Sequence, residues 1–369
     1  MDANPQHFFA AQLKGEDPPV FATMRTLYEL ATAIAARHPW SVLADCDLLL
    51  VEDASSGEIC YCSFMGELGE VFSMHAYLGS EGLRVFKQLQ SGKAFTAGEF
   101  YAQTRCLFVE FVKLGELTPP DRALLKAMCH PLKRGMRAPI FRSMRPGYHP
   151  WYVTEPEGRV LAECARGAIA FWDFFVRNPE QNYWNSEDAY PLVVPHARQE
   201  KEPGYEFRRT RLSLPPPAVP EIPDLDAGRV SQVRSSGFAS RGVWEVGEFY
   251  GAGMIGKRDE RKACFRVAVA IDAQSGFAHP PAVVLPETSD GEALATAVFE
   301  AIEGAQALPV ELHVRSAESK LMLEPLARAL GFPIKVRKSL PAFDSAMSQL
   351  LKMMGDPGSC TTSESVTSG

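Results

Sequence analysis

The chain has 369 residues, of which 46% are hydrophobic and 22% are charged, a balance that is typical of globular proteins and a length sufficient for two domains. Its formal net charge of −7 argues against broad, nonspecific binding to nucleic acid or anionic membranes, because both require a basic face. No stretch approaches the roughly 18 uninterrupted apolar residues of a membrane span, and the first residues lack the basic start and apolar core of a signal peptide. We therefore expect a cytoplasmic protein with no membrane partner.

The first 194 residues predict an α+β domain of helices and antiparallel hairpins. Apolar residues at helical spacing predict an amphipathic helix over residues 21–38. Two β-rich runs flank a turn signal at residues 54–57 and predict a hairpin, and a third strand is expected over residues 71–79. Ser80 is the predicted N-cap of the helix that follows.

A similar order of strand, turn, strand and helix is predicted over residues 138–175. Between the two units, residues 105–117 alternate as a strand does, and Pro119 and Pro120 open a short predicted helix. Two interpretations of the similarity stay open. Either the domain contains two related hairpin-and-helix units, or the two junctions arose independently because turns need glycine and helix starts favour acids.

A basic segment spans residues 133–151 and interleaves cations with aromatic rings. Arginine binds phosphate through paired N–H groups and stacks on bases, so these residue types point to a surface for nucleic acid or another phosphate ligand. The alternative is a charged strand edge that discourages pairing with a second sheet. The candidate binding residues are Arg134, Arg137, Arg142, Arg145 and Tyr148.

The eight cysteines favour buried free thiols over a metal or disulfide site. Cys60 and Cys62 are two residues apart in a predicted strand, which places both thiols on one face. A metal site would require two further ligands at a matching spacing, and a disulfide framework would require a secreted protein. We expect no bound metal.

Composition changes over residues 195–241, which are rich in charge and proline and predict a linker. The three prolines at 215–217 favour a stiff, extended path, although residues 205–214 alternate well enough to form a last strand of the first domain. Residues 355–369 are polar and rich in Ser and Thr, so we expect a disordered tail. These boundaries leave residues 242–354 as a second domain.

The sequence pattern of the second domain predicts the element order βββαβα. Residues 244–250, 264–272 and 277–285 read as three strands, 289–305 as a helix, and 310–316 as a buried strand that leads into a second helix. Asp272 ends the second strand within "AIDAQSG", a sequence that also has the chemistry of an ordinary hairpin turn.

This order, with "AIDAQSG" closing the second strand and "LPVELHVRSAES" after the helix, resembles the RNase H-like core of integrases and transposases. The resemblance implies an α/β domain in which three carboxylates hold two Mg²⁺ or Mn²⁺ ions at a phosphodiester. Glu245 or Glu248 occupies the first-strand position, but Arg315 stands where the resemblance implies the second acid. Displaced ligands would be Glu248, Glu318 and Asp344.

Nearly the whole chain also resembles an uncharacterised family of bacterial cytoplasmic proteins with two domains, through residues 38–83 and the "AVAIDAQSG" core. That resemblance implies a domain layout and no activity. Two functions therefore stand as hypotheses. The first is a noncatalytic binding or scaffold protein without a cofactor, whose partner is an unknown protein or nucleic acid. The alternative is a divalent-metal-dependent nuclease or nucleotidyl-transfer enzyme that uses the displaced carboxylates.

Overall fold

The computed structural model divides the chain into two compact units. The first unit comprises residues 1–95, 100–216 and 256–262, and the second comprises residues 96–99, 217–255 and 263–369. The structure describes residues 13, 15–93, 95–130, 135–181, 183, 189–196, 204–214, 216, 219–257 and 260–354. Within these ranges, no helix has both the length and the apolar character needed to cross a membrane.

Seven strands frame the first unit: β1 (Leu49–Glu52), β2 (Ile59–Met65), β3 (Ser73–Leu78), β4 (Cys106–Lys113), β5 (Arg137–Met144), β6 (Ala189–His196) and β7 (Gly204–Arg211). They form one sheet in the order β5-β4-β3-β2-β1-β6-β7. Neighbouring strands are antiparallel, except that β1 and β6 are parallel. The unit is therefore mixed α/β, with a largely antiparallel sheet.

The helices up to residue 177 are α1 (Phe21–Arg37), a short 3₁₀ turn (Pro39–Ser41), α2 (Gly79–Gln90), α3 (Ala97–Gln103), α4 (Pro119–Ala127) and α5 (Glu155–Arg177). Side chains alternate across a strand, so each strand of the sheet serves two cores. On β1, Leu49 packs in the larger core with residues of α1 and α5, whereas Leu50 packs in the smaller core with residues of α2. Both faces of the seven-stranded sheet are thus partly covered by helices.

Two glycines allow these helices to lie close to the sheet. A Cβ atom on Gly82 of α2 would lie 2.7 Å from the backbone of Tyr77, and one on Gly167 of α5 would lie 2.9 Å from a methyl group of Val51. Both distances are shorter than side-chain packing permits, so only glycine fits without movement. The start of α5 is fixed by a reciprocal capping box between Thr154 and Glu157.

The second unit contains strands β8 (Ala239–Ser240), β9 (Val243–Ile255), β10 (Ala263–Asp272), β11 (Ala282–Val284), β12 (Ala307–Leu308), β13 (Glu311–Val314) and β14 (Ile334–Val336). Its main sheet has the order β11-β10-β9-β13-β14, and β8 pairs separately with β12. Strand β10 is antiparallel to both of its neighbours, whereas β9, β13 and β14 are parallel. The helices are α6 (Ala227–Ser235), α7 (Asp290–Ala305), α8 (Ala317–Leu330) and α9 (Pro341–Met354).

The two faces of this sheet carry different helices. Trp244 and Val246 of β9 share a core with α7 and α8, whereas Phe249 shares a core with Phe343 of α9. Residues 244, 246 and 248 therefore face α7 and α8, and residues 245, 247 and 249 face α9. Glu245 and Glu248 therefore lie on opposite faces of the sheet.

Three predicted elements differ from the structure in extent. Helix α2 begins at Gly79 directly after β3, and its N-cap is Leu78 rather than the predicted Ser80, with no side-chain cap. The strand expected after the turn in residues 145–153 is a single bridge between Ser143 and Trp151, because Pro150 has no N–H to extend the ladder. The third strand of the second unit is shortened to β11 for the same reason, since residues 280 and 281 are both proline.

The segment predicted as a linker, residues 195–241, contains regular structure where it is described. Strand β7 completes one edge of the seven-stranded sheet and α6 precedes the second sheet. Four of the eight residues of β7 are charged, as suits a strand at a sheet edge. The predicted tail, residues 355–369, lies outside the described residues.

Candidate functional sites

Glu248 lies on β9 and faces the side of the sheet that α7 covers. It accepts hydrogen bonds from Arg266 of β10, whose Nη2 atom is 2.7 Å from each carboxylate oxygen. The same guanidinium pairs with Asp290 at the start of α7 and donates to the carbonyl oxygen of Thr288 at 3.4 Å. Arg266 is only 9% exposed. One buried guanidinium therefore serves two carboxylates.

This arrangement changes the acidity of Glu248. Burial raises the pKa of its carboxyl to about 7, the charge of Arg266 opposes that rise, and the charge of Asp290 adds to it. The Glu248 carboxyl is largely withdrawn from water and lies near a second carboxylate, and both conditions favour uptake of a proton. The oxygens that would bind a metal ion are already directed at arginine.

Glu245 lies on the opposite face of β9 and has a structural partner. Its Oε2 atom accepts a hydrogen bond of 2.8 Å from the backbone N–H of Phe343, in the first turn of α9. The carboxylate is buried, with 4% of the residue exposed. A carboxylate at this place satisfies a helix N–H and interacts favourably with the helix dipole. Glu245 therefore anchors α9 to the sheet.

The other two predicted metal ligands are not brought to Glu248. Glu318 is exposed in the first turn of α8, where hydrogen bonds from its own backbone N–H and from Ser316 lower its pKa. Asp344 lies on α9, across the sheet from Glu248, and forms an ion pair with Arg315. Among the described residues, no three or more His, Cys, Asp or Glu side chains come together in a way that could hold a metal ion. The residues present do not fit a two-metal site.

Asp272 and His313 have local partners. Asp272 accepts hydrogen bonds from the backbone N–H and the hydroxyl of Ser275, both at 2.7 Å, and so closes the turn after β10. His313 lies within hydrogen-bond distance, 2.6 Å, of Glu311 on the same strand. The hydrogen bonds of Asp272 are those of the ordinary turn that the residue types of "AIDAQSG" indicate.

The arginines of the basic segment are also engaged within the first unit. Arg142 pairs with the buried Asp121 at 2.7 Å, and Arg145 pairs with Glu157 at 2.7 Å. Arg137 donates to the carbonyl oxygen of Phe111 at 3.2 Å. The guanidinium groups of Arg142 and Arg145 are therefore directed at carboxylates of the protein and not at the phosphate groups of a ligand.

The other two residues of the predicted surface are Tyr148 and Arg134. The backbone N–H of Tyr148 donates to the carbonyl oxygen of Arg145 at 3.0 Å, which forms the turn after β5. Arg134 lies outside the described residues. The three described arginines of the predicted surface, Arg137, Arg142 and Arg145, therefore each have a partner within the first unit.

The described cysteines are free thiols. Cys60 and Cys62 of β2 face α5 and share the larger core with Cys164, and all three are almost fully buried. Burial raises the pKa of the Cys106 thiol well above its ordinary value. Such thiols are protonated and pack as small apolar side chains. Cys46 and Cys129 are exposed.

A cavity of about 450 Å³ opens in the first unit between the end of α1 and strands β4 and β5. Three aromatic rings form much of its wall. The ring of Trp40 lies 5.1 Å from that of Phe72 and 5.5 Å from that of Phe111, both at steep angles. Gly66 supports this wall, because a Cβ atom there would lie 2.7 Å from Trp40 and 2.8 Å from Phe72.

Sequence reasoning missed this cavity. Its aromatic residues stand at positions 40, 72 and 111, with no periodic spacing, and each by itself has the pattern of an ordinary core residue. The weak signal in the sequence is Gly66, because a glycine can mark a close approach of the backbone to side chains. In the structure, Gly66 has a φ of 153° and lies close to Trp40 and Phe72. A pocket of this size falls in the range that holds small organic ligands.

Comparison with protein families finds two matches in the chain. Residues 25–190 match a family described as "Domain of unknown function (DUF7309)", and residues 231–351 match one described as "Domain of unknown function (DUF6930)". No curated protein matches the chain. The two matches support a two-domain protein of an uncharacterised family.

Proposed function

We propose that this protein is a noncatalytic binding protein whose second unit is a degenerate RNase H-like domain. The observation that carries the proposal is the engagement of three of the four acidic residues expected at a metal site. Glu248 pairs with Arg266, Asp344 pairs with Arg315, and Glu245 caps α9. A divalent ion would have to displace a cation or a helix N–H at each of these three positions.

The RNase H-like assignment is supported by the strand order of the second unit. Strands β9, β10 and β11 follow one another in the chain, and each pairs antiparallel with the next. On the other side of β9, β13 and β14 extend the sheet with parallel pairing. Helix α7 supplies the connection from β11 to β13. This order agrees with the βββαβα pattern from which the resemblance was inferred.

A binding role is supported by the cavity in the first unit, which offers a concave, aromatic-lined surface. Concave apolar sites with a few polar groups are the usual form of a ligand site. We further propose a bacterial source and a cytoplasmic location, both of which are inferences from the sequence. The broader expectation of a protein or nucleic-acid partner also stays a proposal.

The test is a titration of Mg²⁺ and Mn²⁺ into the purified full chain, with melting temperature and cleavage of labelled single- and double-stranded DNA and RNA followed in the same samples. We expect no metal-dependent rise in melting temperature and no cleavage above a blank. A metal-dependent nuclease in the same buffer serves as the positive control.

Variants make the result specific to the site. Glu248→Gln, Glu318→Gln and Asp344→Asn each remove one carboxylate of the alternative site, and Glu116→Gln removes an exposed carboxylate in the first unit. Metal-dependent cleavage that the first three variants abolish and Glu116→Gln preserves would establish the displaced-ligand nuclease and overturn the proposal.

A further inference from the structure

We propose that the cavity beside Trp40 binds a small organic anion that carries an aromatic ring. The inference deepens the proposed binding function and rests on it for the role of the site. It depends on three features of the first unit: the aromatic wall, the position of Arg137, and the absence of acidic residues from the described lining.

Size and shape favour a small molecule with a flat ring. A volume of about 450 Å³ corresponds to roughly 15 water molecules in the liquid. The rings of Trp40, Phe72 and Phe111 meet at interplanar angles of 58° and 63°, so they form a corner rather than a flat stack. A planar ligand entering this corner can make offset or edge-to-face contacts with more than one of them.

Arg137 supplies a positive charge at this wall. Its guanidinium lies over the ring of Phe72, 4.6 Å from the centroid, and its Nη1 atom donates to the carbonyl oxygen of Phe111 at 3.2 Å. These two contacts hold the guanidinium in place before any ligand arrives, which reduces the entropy lost on binding. None of the described ion pairs includes Arg137, and Glu110 of β4, a carboxylate whose pKa the charge of Arg137 lowers, is not among the residues that line the cavity.

The other polar groups of the lining are suited to the same ligand. Trp40 brings an indole N–H, a hydrogen-bond donor, to the lining. Two imidazoles, His38 and His130, also line the cavity, and burial lowers the pKa of His130. Neutral imidazole and indole can each donate one hydrogen bond to an oxygen. Carboxylate oxygens accept such bonds and pair with arginine through charge-assisted contacts.

The experiment compares three probes that share one ring system and differ in charge: naphthoate, naphthamide and naphthylmethylammonium. Each is titrated into the full chain by isothermal calorimetry and by quenching of tryptophan fluorescence. We expect naphthoate to bind at least about tenfold more tightly than naphthamide, and the cation to bind most weakly.

Two variants locate the probe and one controls for the loss of an arginine. Arg137→Met keeps an apolar stem on Phe72 and should reduce naphthoate affinity to that of naphthamide. Ala36→Trp adds a ring at an exposed position that lines the cavity and should block naphthoate and naphthamide alike. Arg25→Met is the matched control, since Arg25 also stacks on a phenylalanine, at 4.7 Å, away from the cavity lining.

Several results would overturn the inference. Equal binding of the three probes by the wild-type chain would show an apolar patch with no preference for anions, whether or not the variants fold. No binding, as expected if a peptide or a second copy covers the cavity, would also overturn it. So would an equal loss of affinity in Arg25→Met and Arg137→Met. A positive cleavage assay would overturn the proposed function and leave these first-unit measurements interpretable.

Discussion

Replacement of Glu248 by glutamine should change how the stability of the second unit depends on pH. The carboxyl has a folded-state pKa of about 7, against 4.5 for an unperturbed glutamate. Below pH 4.5 the group is protonated in both folded and unfolded chains and contributes no difference. Between pH 4.5 and 7 the unfolded chain releases the proton while the folded chain retains it, so stability falls as pH rises. Above pH 7 this loss is complete.

The magnitude follows from the separation of the two pKa values. Each pH unit is worth about 1.4 kcal/mol of proton-binding free energy, so ionisation of Glu248 costs the folded state up to about 3 kcal/mol at pH 8. Glutamine has the shape of the protonated acid and cannot ionise. We therefore expect Glu248→Gln to match the wild type near pH 4.5 and to exceed it by up to about 3 kcal/mol at pH 8.

The assay is urea unfolding of both proteins at about pH 4.5, 5.5, 6.5 and 8, which covers the range over which the carboxyl ionises. Hydrogen exchange of peptides from β9 and β10 reports the second unit. Asp290→Asn provides a graded control, because the charge of Asp290 raises the pKa of Glu248, so that variant should show a weaker pH dependence. A difference between Glu248→Gln and wild type that is constant with pH would refute the reasoning. So would a loss of stability in Glu248→Gln that grows toward pH 8.

Three further predictions concern stability and are checked by chemical denaturation at pH 7. Glu245→Ala removes the carboxylate that caps Phe343 and should cost about 1–2 kcal/mol; an unchanged midpoint would contradict the anchoring role. Gly82→Ala places a Cβ atom against the backbone of β3 and should destabilise the first unit by about 1–3 kcal/mol. The control is Gly115→Ala, whose Cβ atom would meet no atom within 4 Å and should cause no such loss. Equal effects of the two substitutions would refute the packing argument. Asp121→Asn removes the buried carboxylate that pairs with Arg142 and should cost about 3–5 kcal/mol, and a loss well under 1 kcal/mol would show that the pair is solvated.

The regular elements could be inferred from the sequence because their signals are local. Residues 21–38 carry the helical periodicity that α1 displays, and Ser289 and Glu292 form the capping box that begins α7. Two observed strands are shorter than the predicted ones because of proline. Pro150 and the prolines at residues 280–281 lack the N–H groups that a β-ladder needs. Reading those prolines as strand breakers would have given the observed lengths.

The candidate acids could be found from the sequence, but their partners could not. Glu245 and Glu248 are three residues apart on one strand and therefore face opposite sides of the sheet. Which side carries α9, and hence which acid caps it, depends on how the chain returns after β14. The pairing of Glu248 with Arg266 depends on the register between β9 and β10, which places Ala268 opposite Glu248. Spacing along the chain does not contain that register.

Local signals in the sequence were enough to predict two regions separated by a segment rich in charge and proline, the order of helices and strands, and an arginine where the RNase H-like resemblance implies a metal-binding acid. These are properties of neighbouring residues, set by periodicity, turn chemistry and charge. Which carboxylates pair with arginine, and where the cavity lies, can be seen only in the folded chain. Trp40, Phe72, Phe111 and Arg137 come from four separate segments, and their convergence is a consequence of sheet order and helix packing, which act between residues far apart in the chain.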